Sequence, residues 1–210
     1  MDGDADALDV VASELRVDPA GSHFRIRWES QGVDAQVDLP LLGSHQVLNT
    51  AAALAVVRLL GYDLDRAVRA AAELEPIPHR LQPVPTGNGI TVIDDSYNAN
   101  PVGVHNGLDV LAAMPPGQRI LVTPGMVELG PLEASENRRY GDHAARVCDH
   151  VIVVSSRPGQ AVLAGLRSGG LAPARIHEVN SLTEATAAIA ALARPGDCVL
   201  FANDLPDSYL

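Results

Sequence analysis

Between residues 90 and 202, short runs of β-branched and aliphatic residues alternate with helix-length segments. This alternation constrains the fold more than any other feature of the chain. The runs 90–93, 120–123, 151–155, 175–179 and 198–202 read as strands, and the segments 102–113, 134–148, 160–168 and 182–193 as helices. The run 151–155 is almost continuously apolar, as suits a strand covered on both faces. Strands joined through single helices need crossover connections, so the sheet is expected to be mainly parallel and the class α/β.

The region before residue 80 has a different texture. Segments 8–17, 22–29 and 32–41 read as extended, separated by the turn-like Asp18-Pro19-Ala20-Gly21 and Ser30-Gln31-Gly32. In the second, Phe24, Ile26 and Trp28 alternate with polar residues, so a small antiparallel meander is expected. Two helices follow, 44–60 stopped by Gly61 and 63–74 capped by Asp63. The stretch 75–85 contains Pro76, Pro78, Pro83 and Pro85 and reads as a stiff connector at a domain boundary.

Composition removes several chemistries. All 15 basic residues are arginine, so neither a lysine Schiff base nor a complete Walker A loop, which ends Gly-Lys-Ser/Thr, is available. A formal net charge of −11 argues against nucleic acid as a partner. No apolar run approaches the ~18 residues of a membrane span, and the acidic start is unlike a secretory signal. Cys148 and Cys198 form no disulfide framework and fit a reducing compartment, so a soluble cytoplasmic protein is expected. No metal-binding histidine spacing occurs, and Asp142-His143 and Asp149-His150 read as surface pairs.

Four segments could carry chemistry. Ile93-Asp94-Asp95-Ser96-Tyr97-Asn98-Ala99-Asn100-Pro101 lies between a strand and a helix, where open parallel sheets bind ligands. Asp95 is placed to accept from ribose hydroxyls, while Asn98 and Asn100 both donate and accept. The same residues also read as an Asx-rich turn with Asn100-Pro101 starting the next helix. In Pro78-His79-Arg80, a hinge arginine suits a phosphate through its planar fork, or is a solvated linker residue. Gly43-Ser44-His45-Gln46-Val47-Leu48-Asn49 opens a helix with polar side chains, either facing a ligand or merely capped by Ser44. Gly125-Met126-Val127-Glu128-Leu129-Gly130 follows a strand but lacks the dinucleotide fingerprint.

In this order and spacing the four segments resemble the ATP-dependent Mur ligases of peptidoglycan synthesis. The Asp-Asp-Ser-Tyr-Asn-Ala-Asn-Pro run at 94–101 points to the branch that adds D-alanyl-D-alanine, the MurF type. The resemblance implies a Rossmann-like C-terminal domain at 80–210, preceded at 1–79 by the strand-and-helix end of a central ATPase domain. It implies that Gln46 and Asn49 face the adenine and that His79 and Arg80 are the catalytic interdomain pair, Arg80 also binding the nucleotide near its γ-phosphate. Asp95 then binds the ribose or orients the nucleotide. Ser96, Tyr97, Asn98 and Asn100 form the loop toward the incoming amine, and no metal ligand is assigned.

The implied cofactors are ATP and Mg²⁺. The implied partners are a UDP-MurNAc-peptide, an amine such as D-alanyl-D-alanine, and a P-loop-containing half if that half is a separate chain. The implied reaction joins the peptide carboxylate to the amine through an acyl phosphate, and the chain alone, lacking the P-loop, is expected to be inactive. Departures bear on the amine: His45-Gln46 replaces the usual His-Asn, Pro124 precedes Gly125-Met126, and Asn137 stands where a histidine is common. Two other readings remain open, a non-catalytic binding or regulatory module with this fold and a ligase for a different amine.

Overall fold

A computed structural model describes residues 10–97 and 99–203. The chain divides into two compact units, one ending at Pro76 and the other beginning at Ile77.

In the first unit β1 (Val11–Asp18), β2 (Gly21–Trp28) and β3 (Val33–Leu39) form an antiparallel meander. The Asp18 carboxylate accepts from the Ala20 N–H at 2.9 Å and closes the first turn. Alternation along β2 puts Phe24, Ile26 and Trp28 on one face, where they join Val33, Val37 and Leu39 of β3. Helix α1 (Ser44–Leu59) covers this face with Val47, Ala51 and Leu54, and α2 (Leu64–Ala71) adds Ala71. Asp63 caps α2 as expected, its carboxylate accepting from Arg66 N–H at 2.9 Å.

The second unit is a six-stranded sheet ordered β4-β5-β9-β6-β7-β8. Its strands are β4 (Gln82–Val84), β5 (Thr91–Asp95), β6 (Arg119–Thr123), β7 (His150–Val154), β8 (Ile176–Val179) and β9 (Cys198–Ala202). All neighbours are parallel except β4, which runs antiparallel to β5. The helices are α3 (Pro101–Ala113), α4 (Glu133–Val147), α5 (Arg157–Ser168) and α6 (Leu182–Leu192). Strand residues alternate between two buried layers. Ile120, Val122, Ile152, Val154 and Val199 pack with Ala185 of α6. On the opposite layer Gly107 of α3 lies against Leu200, and Gly159 of α5 against Val153.

Two sequence expectations change. The proline-rich connector contains a strand, β4, with Pro83 opposite Ile93. A residue without an N–H is tolerated there because β4 is the sheet edge. The first strand of the unit continues through Asp94 and Asp95 rather than stopping before them. The two carboxylates therefore leave opposite faces of the sheet. No described helix is long and apolar enough to cross a membrane, and both cysteines are buried and free.

Candidate functional site

The second unit gathers polar groups at the carboxyl ends of β5, β6 and β9, where parallel sheets present ligand sites. Asn203, just past β9, joins two of these ends. Its N–H donates to the Asp95 carbonyl at 3.2 Å and its Nδ2 to the Gly125 carbonyl at 2.7 Å. The Gly125 loop is held from below by buried Asn137, which accepts from Met126 N–H at 2.7 Å and donates back to the Met126 carbonyl at 2.9 Å. Gly125 has φ +88°, and a Cβ there would lie 2.8 Å from Asn137 Oδ1, so only glycine fits. Asn137 and Asn203 were not expected as site residues. Asn137 stood out in the sequence as a departure from the family pattern, whereas nothing singled out Asn203 beyond its place just after the last strand run.

Against this edge sits the turn carrying His79 and Arg80. His79 has φ +62° and Leu81 φ +45°, both in the left-handed region. Contacts with β5 and its loop secure the turn. His79 Nδ1 lies 2.8 Å from Asp94 Oδ2, and the His79 carbonyl accepts from Tyr97 N–H at 3.2 Å. The Leu81 N–H donates to Asp95 Oδ1 at 3.1 Å, and the Leu81 side chain is buried. The Arg80 guanidinium lies over the Tyr97 ring, 4.5 Å from its centroid, a cation–π contact.

The two aspartates have opposite electrostatics. Burial works to raise the Asp94 carboxyl, but donors from the Ser96 hydroxyl (2.6 Å), His79 and the Ser96 N–H (3.0 Å) hold it below its ordinary range. Asp95 faces Gly107 of α3, and burial there pushes its carboxyl up to about 6. The Leu81 N–H and the Arg80 charge offset this only in part, and the Asp94 charge adds to it. Beside Asp94 opens a cavity of about 280 Å³, with Val84, Val92, Leu182 and Phe201 as apolar walls and Ser96 and Asn203 on its polar side.

The structure thus brings together His79, Arg80, Asp95, Ser96 and Tyr97 of the expected set. Asn100 is the N-cap of α3, its Oδ1 accepting from Gly103 N–H at 2.9 Å with Pro101 in the first turn. Asn98 lies outside the described residues. Gln46 and Asn49 belong to the first unit, three residues apart on α1 and so on one helix face. Ser44 does not cap that helix. Gly43 is the N-cap, with no side-chain cap hydrogen bond, and its N–H donates to Ser22 Oγ at 3.0 Å. That anchor from β2 places Ser44 already inside the first turn.

The histidines expected as surface pairs have other partners. His143 Nδ1 meets His105 Nδ1 at 2.8 Å, and His150 Nδ1 meets His177 Nε2 at 3.0 Å. Among the described residues no group of three His, Cys, Asp or Glu side chains is arranged to hold a metal ion.

Residues 79–203 match the family model described as Mur ligase, glutamate ligase domain. The chain is 35% identical over 150 residues to the UDP-N-acetylmuramoyl-tripeptide–D-alanyl-D-alanine ligase of Escherichia coli, covering 71% of this chain and 32% of that protein. It is 30% identical over 206 residues to the UDP-N-acetylmuramate–L-alanine ligase of a Roseiflexus species, covering 92% of this chain and 43% of that protein. The crystal structure of MurF from Acinetobacter baumannii superposes with a TM-score of 0.77 at 26% identity, covering 95% of this chain and 42% of the other. The chain therefore spans less than half the length of these relatives. With the fold, the family match and the Asp-Asp-Ser-Tyr loop in agreement, the chain belongs to the Mur ligase family and carries the C-terminal domain of a MurF-type member.

Proposed function

We propose that the chain is part of a cytoplasmic, ATP-dependent amide ligase of peptidoglycan synthesis. Residues 1–79 are the end of its central ATPase domain and residues 80–210 its C-terminal domain. The observation that carries this reading is the docking of the His79-Arg80 turn onto the Asp94–Tyr97 segment at the carboxyl edge of the sheet.

In the complete enzyme a peptide carboxylate attacks the γ-phosphate of ATP, and an amine then displaces phosphate from the acyl phosphate. Arg80 supplies fixed positive charge where phosphate charge develops. Asp95 holds the ribose hydroxyls, and Gln46 and Asn49 face the adenine. Mg²⁺ bound with ATP neutralises phosphate charge, and no metal ligand is assigned to this chain. Ser96, Tyr97, Asn98 and Asn100 form the loop toward the amine, Asn100 offering Nδ2 because its Oδ1 caps α3. His79 accepts at Nε2 when its Nδ1 donates to Asp94.

The cavity beside Asp94 supports a small aliphatic amine. Its walls are apolar, and among the described residues its lining contains no cation to pair with an acidic side chain. D-alanyl-D-alanine fits this description and the relatives' names. L-alanine fits as well and is the second reading, favoured by the likeness to L-alanine ligases.

In a complete ligase containing this sequence, Arg80→Ala should lower acyl-phosphate formation by about 10²–10³, the size of losing one transition-state donor. Rapid-quench phosphate release with each candidate amine would show it. Unchanged kinetics would remove Arg80 from the site, and no ligation of any amine would favour a non-catalytic module.

A further inference from the structure

We infer that Asp94 is a positioning residue, which holds the His79-Arg80 turn in its working geometry without itself touching the nucleotide. This rests on the reading of Arg80 as the group that meets phosphate.

Arg80 lies between two residues with left-handed backbone, His79 and Leu81, and neither is glycine. Such residues persist only when their surroundings hold them. The path of the backbone through these two residues sets where the Arg80 Cα stands relative to Tyr97.

Two carboxylates supply the restraint, one on each side of Arg80. Asp95 takes the backbone N–H of Leu81 and Asp94 takes the imidazole of His79. Consecutive residues at a strand end face opposite sides of the sheet, so the pair grips the turn from two directions. Asp94 is in turn locked by the Ser96 N–H and hydroxyl on its Oδ1, which leaves Oδ2 aimed at His79. The His79 carbonyl returns a contact to the same loop through Tyr97 N–H. The cluster closes on itself. Asp94 orients His79, His79 and Leu81 set Arg80, and Tyr97 receives Arg80 on its ring face.

Asp94 also selects a tautomer. With the Asp94 carboxylate only an acceptor, neutral His79 must carry its proton on Nδ1, leaving a lone pair on Nε2. The His79 side chain is 57% exposed, so that nitrogen remains accessible.

The test uses a complete ligase containing this sequence, with Asp94→Ala, Asp94→Asn, Arg80→Ala and the double variant Asp94→Ala/Arg80→Ala, together with ¹⁵N spectra of the 210-residue chain for the His79 tautomer. Asp94→Ala should lower kcat at least tenfold with little change in KM for the UDP-linked substrate. In the Arg80→Ala background the same change should cost less than threefold, because both act through one group. Asp94→Asn keeps the shape, but its single acceptor oxygen is taken by the two Ser96 donors and its amide NH₂ then faces His79. It should therefore lose activity and the Nδ1–H form much as Asp94→Ala does, which separates the lost contact from poor folding of the alanine variant. In the chain, Asp94→Ala should shift neutral His79 away from the Nδ1–H form. Wild-type kcat in Asp94→Ala, losses that multiply fully in the double variant, or an unchanged tautomer would each overturn the inference. If instead Arg80→Ala is fully active, it is the reading of Arg80 that fails.

Discussion

Asp95 occupies a place that suits an uncharged group better than an ion. Its carboxyl is pushed up to about 6 by burial against α3, so the folded chain holds the proton more tightly than the unfolded chain, whose aspartates titrate near 3.8. The resulting stabilisation is complete at pH below the unfolded value and is lost as pH rises through about 6. At pH 7.5 the ionised group therefore costs stability. Asp95→Asn retains an oxygen for the Leu81 N–H and should raise stability at pH 7.5 by about 1–2 kcal/mol, because it removes a charge that burial disfavours and solvent screens only in part. The gain should shrink as pH falls from 7 to 5 in urea titrations, while ATP use by the complete enzyme weakens. Lower stability of the variant at pH 7.5 would show that the ion is favoured where it sits. The type of these residues was legible in the sequence, since two carboxylates, a hydroxyl and a phenol in one segment announce a polar site. Their partners were not. His79 lies fifteen positions from Asp94, and only the β4–β5 hairpin brings them together.

Between elements, helices α4 and α5 approach backbone to backbone. A Cβ on Gly165 would lie 2.1 Å from the Arg138 carbonyl oxygen, and one on Gly141 2.1 Å from that of Val162. Both obstacles are backbone, which cannot turn aside as a side chain can. Gly165→Ala should force the helices apart and destabilise the second unit by about 1–3 kcal/mol, the usual cost of overpacking. A thermal melt of the purified chain would show it, and an unchanged midpoint would mean the crossing is looser than drawn. Helix propensity alone predicts the opposite sign, because alanine favours helix over glycine by about 1 kcal/mol. The order of strands and helices was readable because apolar runs and caps such as Asp63 and Asn100 mark the ends. Strand β4 was hidden by Pro83, which looks like a breaker unless the strand is known to be an edge. The insertion of β9 between β5 and β6 was also hidden, because each parallel strand shows the same short apolar run.

At the scale of the whole molecule, the constraint is chemical rather than geometric. Phosphoryl transfer of this kind needs the β- and γ-phosphates cradled by a glycine-rich loop whose lysine reaches them. The chain has no lysine in its 210 residues, and the turn docked on its polar sheet edge carries one exposed arginine, Arg80. What the second unit does contain is the turn itself, with His79 on Asp94, the Leu81 N–H on Asp95 and Arg80 over Tyr97. A charge for developing phosphate without a cradle for it is not expected to give turnover. The purified chain, given ATP, Mg²⁺, a UDP-MurNAc-peptide and D-alanyl-D-alanine, should release no phosphate above the uncatalysed background. A polypeptide supplying the P-loop should restore turnover if it can assemble with this chain. Phosphate release by the chain alone near the ordinary enzymatic rate of about 1–10 s⁻¹ would overturn this division of labour, because charge stabilisation from Arg80 would then suffice without the cradle.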